Sequence, residues 1–381
     1  MNQITFNLES FLKEFWQKKP TVIKGGYAPF IDPITPDELA GLATEEKVES
    51  RLVSLVNGQW KAEHGPFEDY SHLGEKNWAL LVQASDHWIK PVADLIKPFR
   101  GLPNWRIDDV MISYSVPGGG VGPHVDQYDV FIIQGQGTRR WRVGANMGQV
   151  QFVKTPGLLH VDPFEPIIDE VLEPGDILYI PPGFPHDGYA VTEAMSYSIG
   201  YRAQNQQDLF SSFADYLLQE DAGQIRYTDT DRTLSHEPGL VTPKDVNDLR
   251  HLMQSLMNDD KLFTAWLGIQ LSGAKHELNI IENEWELIPE ELIPALEAED
   301  ELYRLGGLRC LYFDAQPNVC FINGEAITIP EGGRDLAKLL CNKTELTLTD
   351  LQPYLDSISL TQWICDWCNK GYWYLASDAE E

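Results

Sequence analysis

The sequence predicts a mainly β domain, a mostly antiparallel sandwich or barrel, joined to an α-helical region and followed by a small α+β domain with the element order of a winged helix. Three observations predict it. From about residue 108 the chain breaks into strand-length apolar runs, DVMISYSV, YDVFIIQ, RRWRV, DILYI and AMSYSIGYR, separated by Gly/Pro turns. No helix of ordinary length lies between them, whereas parallel strands would need crossovers of about a dozen residues each. After about residue 205 the apolar period changes from two to 3.6. After about residue 276 short strand candidates alternate with short amphipathic pieces. The expected domains are therefore 1–205, 206–275 and 276–381.

In chain order, Asn7 is placed to cap a helix on which Leu8, Phe11, Leu12, Phe15 and Trp16 recur at three- and four-residue spacing. In Thr35-Pro36-Asp37-Glu38, Thr can cap, Pro fits the first helical position and Glu38 can close a capping box, predicting a short helix through Leu42. Residues 51–90 mix apolar runs with Gly58, Gly65, Pro66 and Gly74, predicting strands and turns, then a helix over Asn77–Trp88. The glycines of PGGGVGP are interrupted by Pro117 and Pro123 and no GxxxxGK[ST] follows, which excludes a phosphate loop. Beyond 205, Leu209, Phe210, Phe213, Tyr216 and Leu217 form one helical face. Thr242-Pro243-Lys244-Asp245 caps VNDLRHLMQSLM, and DDKLFTAWLGIQL forms a third helix around Phe263, Trp266 and Leu267. Exposed parts of these stripes would join two subunits in a homodimer; fully packed within the chain, they would not. Residues 277–301 hold ten acidic residues and no Lys or Arg, a solvated hinge or face. The tail offers ELYRLGGLRCLYF, NVCFINGEAITI and ELTLT as strands, with DLAKLL and LTQWICDWC as helices.

Across 381 residues, 29 Lys+Arg against 58 Asp+Glu leave a net charge of −29. Such a field disfavours direct DNA binding and suits a basic partner, or serves solubility alone. With 43% hydrophobic residues, including 11 Trp, 15 Tyr and 15 Phe, the chain can build a substantial core, unlike an acidic disordered tail. Neither a secretory signal nor a spanning segment is evident, so a cytoplasmic protein without membrane contact is expected. The cysteines, Cys310, Cys320, Cys341, Cys365 and Cys368, are odd in number and make no disulfide scaffold. Cys365 and Cys368 form a CxxC without a second pair, so structural zinc is not expected.

The strongest chemical signal is GVGPHVDQYDVFIIQ. His124 and Asp126 stand two residues apart before a strand, so both side chains can point to one face. An imidazole, a carboxylate and a second imidazole make the facial triad of non-haem iron sites. His186 in EPGDILYIPPGFPHDGY supplies the third ligand, at the exit of the strand DILYI. An HxD alone is weak, because His160-Val161-Asp162 repeats it; but Asp162 precedes Pro163 and no long strand follows. On residues alone, a hydrogen-bonded core histidine with two turn aspartates competes with the triad.

Residues 109–202 resemble the double-stranded β-helix of the JmjC-type iron and 2-oxoglutarate oxygenases in the cupin superfamily. Nearly the whole chain resembles the bacterial ribosomal-protein arginine hydroxylases through SRLVS, FEDYSHLGEKNWALLVQ, WRIDDVMISYSVPGGGVGPHVDQYDVFIIQGQGTRRWRVG and LEPGDILYIPPGFPHDGYA. The resemblance implies Fe(II) held by His124, Asp126 and His186, with 2-oxoglutarate and O2 as cosubstrates. It implies Arg139 on the distal carboxylate of 2-oxoglutarate, a role that suits the fixed fork of a guanidinium. Arg140 and Arg142 are alternatives, although Arg140 should face oppositely in a regular strand. Ser113 and Ser196 are candidate hydroxyl contacts to the cosubstrate, with strand packing as the competing role. The resemblance further implies 3-hydroxylation of an arginyl side chain of the sixteenth large-subunit ribosomal protein, an oligomerising helical region and a C-terminal winged helix. A cupin metal enzyme of another type and a non-catalytic scaffold are the competing readings. A basic substrate would suit the acidic chain, and Asp108, Asp109, Asp129, Asp187 and Tyr128 are candidates near the mouth, against ordinary turn, surface or sheet roles.

Overall fold

Helix α1 (Leu8–Glu14) begins where Asn7 accepts the Ser10 amide, and its buried Phe11 ring packs 5.1 Å from Phe131 and 4.8 Å from Tyr179. The computed structural model describes residues 3–281, 286–299 and 301–376. Around α1, β1 (Gln3–Ile4) pairs with β3 (Tyr27–Ala28), and β2 (Thr21–Ile23) joins a large sheet. The capping box of Thr35 and Glu38 starts α2 (Pro36–Leu42), as the sequence predicts. A hairpin of β4 (Ser50–Val56) and β5 (Gln59–His64) follows, then β6 (Trp78–Val82). The helix expected over Asn77–Trp88 does not form. The segment is β6, one turn of 3-10 helix at Ser85–His87 and α3 (Lys90–Ala93). Asn77 has φ 65°, and Ala79–Val82 are buried on both faces between two neighbouring strands, which erases the period-two signal of an exposed strand.

The core strands are β7 (Ile107–Ser115), β8 (His124–Val125), β9 (Tyr128–Gln134), β10 (Arg139–Gly144), β13 (Pro166–Leu172), β14 (Ile177–Ile180), β15 (Pro185–Ala190) and β16 (Ala194–Arg202). Between β10 and β13 a ribbon of β11 (Phe152–Thr155) and β12 (Leu158–His160) is inserted. One sheet has the order β2-β14-β9-β16-β7-β6-β4-β5 and the other β13-β10-β15-β8, with antiparallel pairing throughout. Val130, Ile132, Leu178 and Ile180 of the first meet Trp141, Val143 and Leu172 of the second, so this cluster is the interior of the double-stranded β-helix. On the other face of the large sheet, Phe131, Ile133, Tyr179 and Tyr197 pack under α1 and α2. Both faces of β9 are thus buried, which is why its sequence reads as a continuous apolar run. Removing the Phe131 ring would cost about 3–5 kcal/mol.

By contacts the chain forms two units, Met1–Ala203 with Ala274–Leu308 and Thr344–Glu381, and Gln204–Gly273 with Arg309–Lys343. Besides the β-helix, the first contains α7 (Pro289–Glu299) and a sheet in which β17 (Glu301–Arg304) lies between β21 (Glu345–Thr347) and β22 (Trp373–Leu375), with α9 (Leu348–Leu355) and α10 (Ile358–Asn369). In the second, α4 (Gln206–Gln219), α5 (Pro243–Met257) and α6 (Asp260–Ser272) accompany a meander of β18 (Cys310–Tyr312), β19 (Val319–Ile322) and β20 (Glu325–Thr328) and the helix α8 (Arg334–Asn342). Thr242 and Asp245 make the predicted capping box of α5. Of the acidic stretch 277–301, residues 282–285 and 300 lie outside the described residues. All five cysteines are buried and unbridged.

Candidate functional site

The turn GVGPHVD delivers His124 on β8 and Asp126 just past it, while His186 is the second residue of β15, paired in register with His124. His186 therefore starts the strand after DILYI rather than ending that strand. Asp126 Oδ2 lies 3.8 Å from His124 Nε2 and 3.5 Å from His186 Nε2, and the imidazole centroids are 4.2 Å apart. Each Nδ1 faces a carbonyl, Gly122 O at 2.9 Å and Phe184 O at 3.0 Å. A carbonyl only accepts, so the proton sits on Nδ1 and each Nε2 turns its lone pair toward the carboxylate. Three lone-pair atoms facing one another repel unless a cation or a proton lies among them, so this donor set suits a metal ion.

Electrostatics agree. Burial and the neighbouring His186 hold His124 down at about 4, which keeps it neutral. Burial pushes Asp126 up, but the facing His124 and His186 imidazoles outweigh it and hold the carboxylate at about 2. For His186 the penalty of burial is exceeded by the pull of Asp126, and its value rises, so a proton on Nε2 is the alternative to a cation among the three groups. Burial and the charges of Asp126 and Asp109 keep the Tyr128 phenol protonated. The side chains of His124 and Asp126 remain 21% and 22% exposed, so the cluster is open on one side.

Deeper in, Arg139 is buried on the inward face of β10. Its Nη1 donates to Ser113 Oγ at 2.7 Å and Ser196 Oγ at 2.9 Å, and Nη2 donates to Gly188 O at 3.3 Å. The serines are cross-strand partners on β7 and β16, with their Oγ atoms 2.8 Å apart. Arg139 Nε has no partner among the described residues, and no carboxylate is hydrogen-bonded to this guanidinium. Burial drags its value down to about 10. A buried guanidinium with a spare donor and only neutral acceptors fits an anionic ligand. The Trp141 ring lies 5.1 Å from the Arg139 Cζ and 6.1 Å from the His186 ring, so it walls the space between them. Only glycine fits at 188, since a Cβ there would approach the Trp141 ring to 2.5 Å. Arg140 faces outward and pairs with Asp169 at 2.7 and 2.9 Å, and Arg142 lies over Phe164.

The structure separates the remaining candidates. Asp129 is fully buried and accepts from Gln17, Arg106 and Tyr179, so it braces the large sheet and faces no substrate. Asp109 is buried, takes the Gln83 side chain and the Ala84 amide, and has its value raised by burial and by Asp86. Asp108 pairs with Lys275 at 2.9 Å. Asp187 pairs across the strand with Arg142, and burial raises its value. The other HxD does not assemble. His160 is buried and spends its Nε2 on Val121 O at 2.8 Å, while Asp162 is exposed. Sequence reasoning missed Trp141, which reads as a core aromatic. It also missed a second group, Asp108, Asp109 and His276, whose ligand atoms converge from residues far apart in the chain.

The JmjC domain family matches residues 94–209, and the ROXA-like winged helix matches residues 255–374. Ribosomal protein uL16 3-hydroxylase of Escherichia coli (strain K12) is 51% identical over 98% of both chains. The probable ribosomal oxygenase of Haemophilus influenzae is 31% identical, covering 96% of this chain and 95% of its own. The X-ray structure of E. coli ycfD superposes with a TM-score of 0.92 at 51% identity, covering 98% of this chain and 99% of that one. The structure of YcfD, a ribosomal oxygenase from E. coli in complex with cobalt and 2-oxoglutarate, superposes with a TM-score of 0.90 at 50% identity, over 99% and 100% of the two chains.

Proposed function

The chain belongs to the JmjC-domain ribosomal oxygenases, and from that premise we propose that it is an Fe(II)- and 2-oxoglutarate-dependent dioxygenase that 3-hydroxylates an arginyl side chain of the ribosomal protein uL16. The observation that carries this reading is one β-helix interior holding two kinds of group: an open His124/Asp126/His186 cluster with its lone pairs convergent, and a buried Arg139 with a donor to spare. Iron(II), when bound, supplies the redox chemistry by which O2 and 2-oxoglutarate become succinate and carbon dioxide while a substrate C–H becomes C–OH.

The protein's own part is positioning. His124 and His186 offer Nε2, each ring held by its Nδ1–H on a carbonyl, and Asp126 offers Oδ2. Arg139 takes the distal carboxylate of 2-oxoglutarate, with Ser113 and Ser196 fixing the guanidinium and adding hydroxyls. Trp141 keeps the space between them dry. The net charge of −29 favours capture of a basic protein.

Exposed apolar residues on the second unit, Phe210 and Leu218 of α4 and Val246, Leu249 and Met253 of α5, support a homodimer through these helices. The acidic surface argues against direct DNA binding. No helix among the described residues is long and apolar enough to cross a membrane, and a ribosomal substrate suits a cytoplasmic site of action. The deciding experiment loads the protein anaerobically with Fe(II) and 2-oxoglutarate, adds O2 and uL16, and weighs the product. The expected result is a gain of one oxygen atom on an arginine that requires all three additions; no gain on uL16 overturns the assignment.

A further inference from the structure

In the second unit, the middle strand of the meander, β19, is buried on both faces, with Cys320, Phe321 and Ile322 all enclosed. Phe321 faces α6, where a Cβ at Gly268 would approach its ring to 2.5 Å. The pairing sets Cys310 opposite Ile322 and Tyr312 opposite Cys320. Directly opposite residues, and residues two apart on one strand, point the same way, so these four side chains share the other face. Helix α8 covers that face through a buried stripe of Leu336, Ala337, Leu340 and Cys341.

Three thiols from three elements thereby meet in one enclosed space. Cys310 Sγ of β18 and Cys341 Sγ of α8 lie 2.8 Å apart, although the residues are 31 positions apart in the chain. Cys320 of β19 is close enough for its thiol to act on that of Cys341. None of the three is more than 1% exposed. Burial, and after it the neighbouring thiols, push Cys341 up and keep it protonated, so the sulfur is inert while α8 is seated. Cys341 belongs, however, to the last turn of α8, which ends at Asn342. Helix ends open at the lowest cost in free energy, and a thiol released into water regains its ordinary acidity.

We propose that Cys310 and Cys341 are a redox site, at which hydrogen peroxide converts the two thiols into a reversible disulfide that staples α8 to β18. When the end of α8 lifts, the Cys341 thiol gives its proton to water and its sulfur attacks one peroxide oxygen. The O–O bond breaks, a sulfenic acid forms on Cys341, and the departing hydroxide takes up a proton to become water. When α8 reseats, the Cys310 sulfur attacks the Cys341 sulfur. The S–S bond forms, the S–O bond breaks, and the oxygen leaves with the Cys310 proton as a second water. Two thiols are oxidised by two electrons in all, and one peroxide is reduced by two. The bond closes a loop that contains β19 and β20 whole, so it restricts the unfolded chain as well as the folded one. A dithiol reductant reverses it, as for the transient disulfides of reducing compartments.

The test treats the full wild-type chain, free of added metal, with hydrogen peroxide and then removes the oxidant. Digestion without reductant, followed by mass spectrometry, identifies any linked peptides. The expected product is a pair joining Cys310 to Cys341 and lighter by two hydrogen atoms than its parts, and mapping separates it from any link within the Cys365/Cys368 pair. The melting temperature should rise by about 5 °C or more and return to its starting value with a dithiol reductant. Cys341→Ala should lose both the link and the rise, while Cys320→Ala should keep both. Should Cys341→Ala fail to fold, the peptide map of the wild type decides alone. A link from Cys341 to Cys320 in place of Cys310 overturns the assignment of the pair. Oxygen atoms added to Cys341 without a link, or both thiols left unchanged under peroxide that oxidises the cysteines of the urea-unfolded chain, overturn the site.

Discussion

The tripeptide His-Val-Asp occurs twice in the β-helix, at 124–126 and at 160–162, and the two copies have different fates. In the first, the imidazole spends its Nδ1 on a carbonyl two residues back and leaves Nε2 facing a carboxylate and a second imidazole. In the second, the imidazole spends its Nε2 on Val121 O, under a tryptophan, and its aspartate points to water ahead of Pro163. The chemistry of the three residues is identical. What differs is which nitrogen the backbone consumes, and a hydrogen bond of that kind decides whether a histidine is a ligand or a support. Arg139 and Arg140 repeat the lesson one residue apart: the first is enclosed with two hydroxyls and no carboxylate, the second is paired on the surface with Asp169.

The sharpest way to break this comparison is to remove the two aspartates separately. Asp126→Ala should lower hydroxylation of uL16 about a thousandfold or more and abolish tight binding of a divalent metal in a titration. Asp162→Ala, which removes an exposed carboxylate, should stay within about twofold in both measurements. Equal losses would mean that the exposed aspartate is drawn into the site, and the distinction between the two copies would fall.

The arginine pair gives the next largest effect. Arg139→Ala removes charge-assisted hydrogen bonds worth about 1.5–3 kcal/mol each, so the KM for 2-oxoglutarate should rise about 30–100-fold. Anaerobic 2-oxoglutarate binding to the metal-loaded protein should weaken in step. Arg140→Ala should change neither by more than about twofold, because exposed ion pairs contribute little. The reverse result would show that β10 is twisted by one residue at its start.

How much of this was legible in the sequence varies by element for physical reasons. The caps at Asn7, Thr35 and Thr242 are written locally, since a side chain and an amide three residues on suffice to make them, and all three formed. The barrel strands were legible because turns and apolar runs alternate with a strand's length. The segment 77–88 was not, because both faces of β6 are covered and burial on both sides removes periodicity. At the site, Arg139 came from the family resemblance, and strand alternation said only that Arg140 faces the opposite way; the structure buries Arg139 and pairs Arg140 with Asp169 outside. Asp129 was one of the acidic candidates for a basic substrate, yet its buried carboxylate turns to Arg106 and Tyr179. The convergence of Asp108 and Asp109 with His276 spans too much chain for any spacing rule to find.

His160→Ala probes the supporting member of the pair through stability. The imidazole is buried and hydrogen-bonded to Val121 O, so its loss leaves an unsatisfied carbonyl and a void beside Trp60. A destabilisation of about 1–3 kcal/mol is expected, seen as a lower urea midpoint, with metal stoichiometry unchanged. A variant that unfolds at the wild-type midpoint but binds less metal would make His160 a ligand after all.

The smallest effect separates the two serines that hold Arg139. Ser113 and Ser196 sit opposite one another on neighbouring strands, touch each other, and both accept from the same Nη1. Either hydroxyl alone still gives that nitrogen an acceptor, so Ser113→Ala or Ser196→Ala should raise the KM for 2-oxoglutarate only about two- to fivefold, in keeping with roughly 0.5–1 kcal/mol where a neighbouring hydroxyl compensates. Removing both leaves Nη1 of a buried cation without a hydroxyl, and the cost should exceed the sum of the single changes. That non-additivity is the discriminating measurement. Additive single effects would mean that each serine touches the cosubstrate directly; a double variant worse than additive would mean that they act through Arg139, as His160 acts through the turn that carries His124.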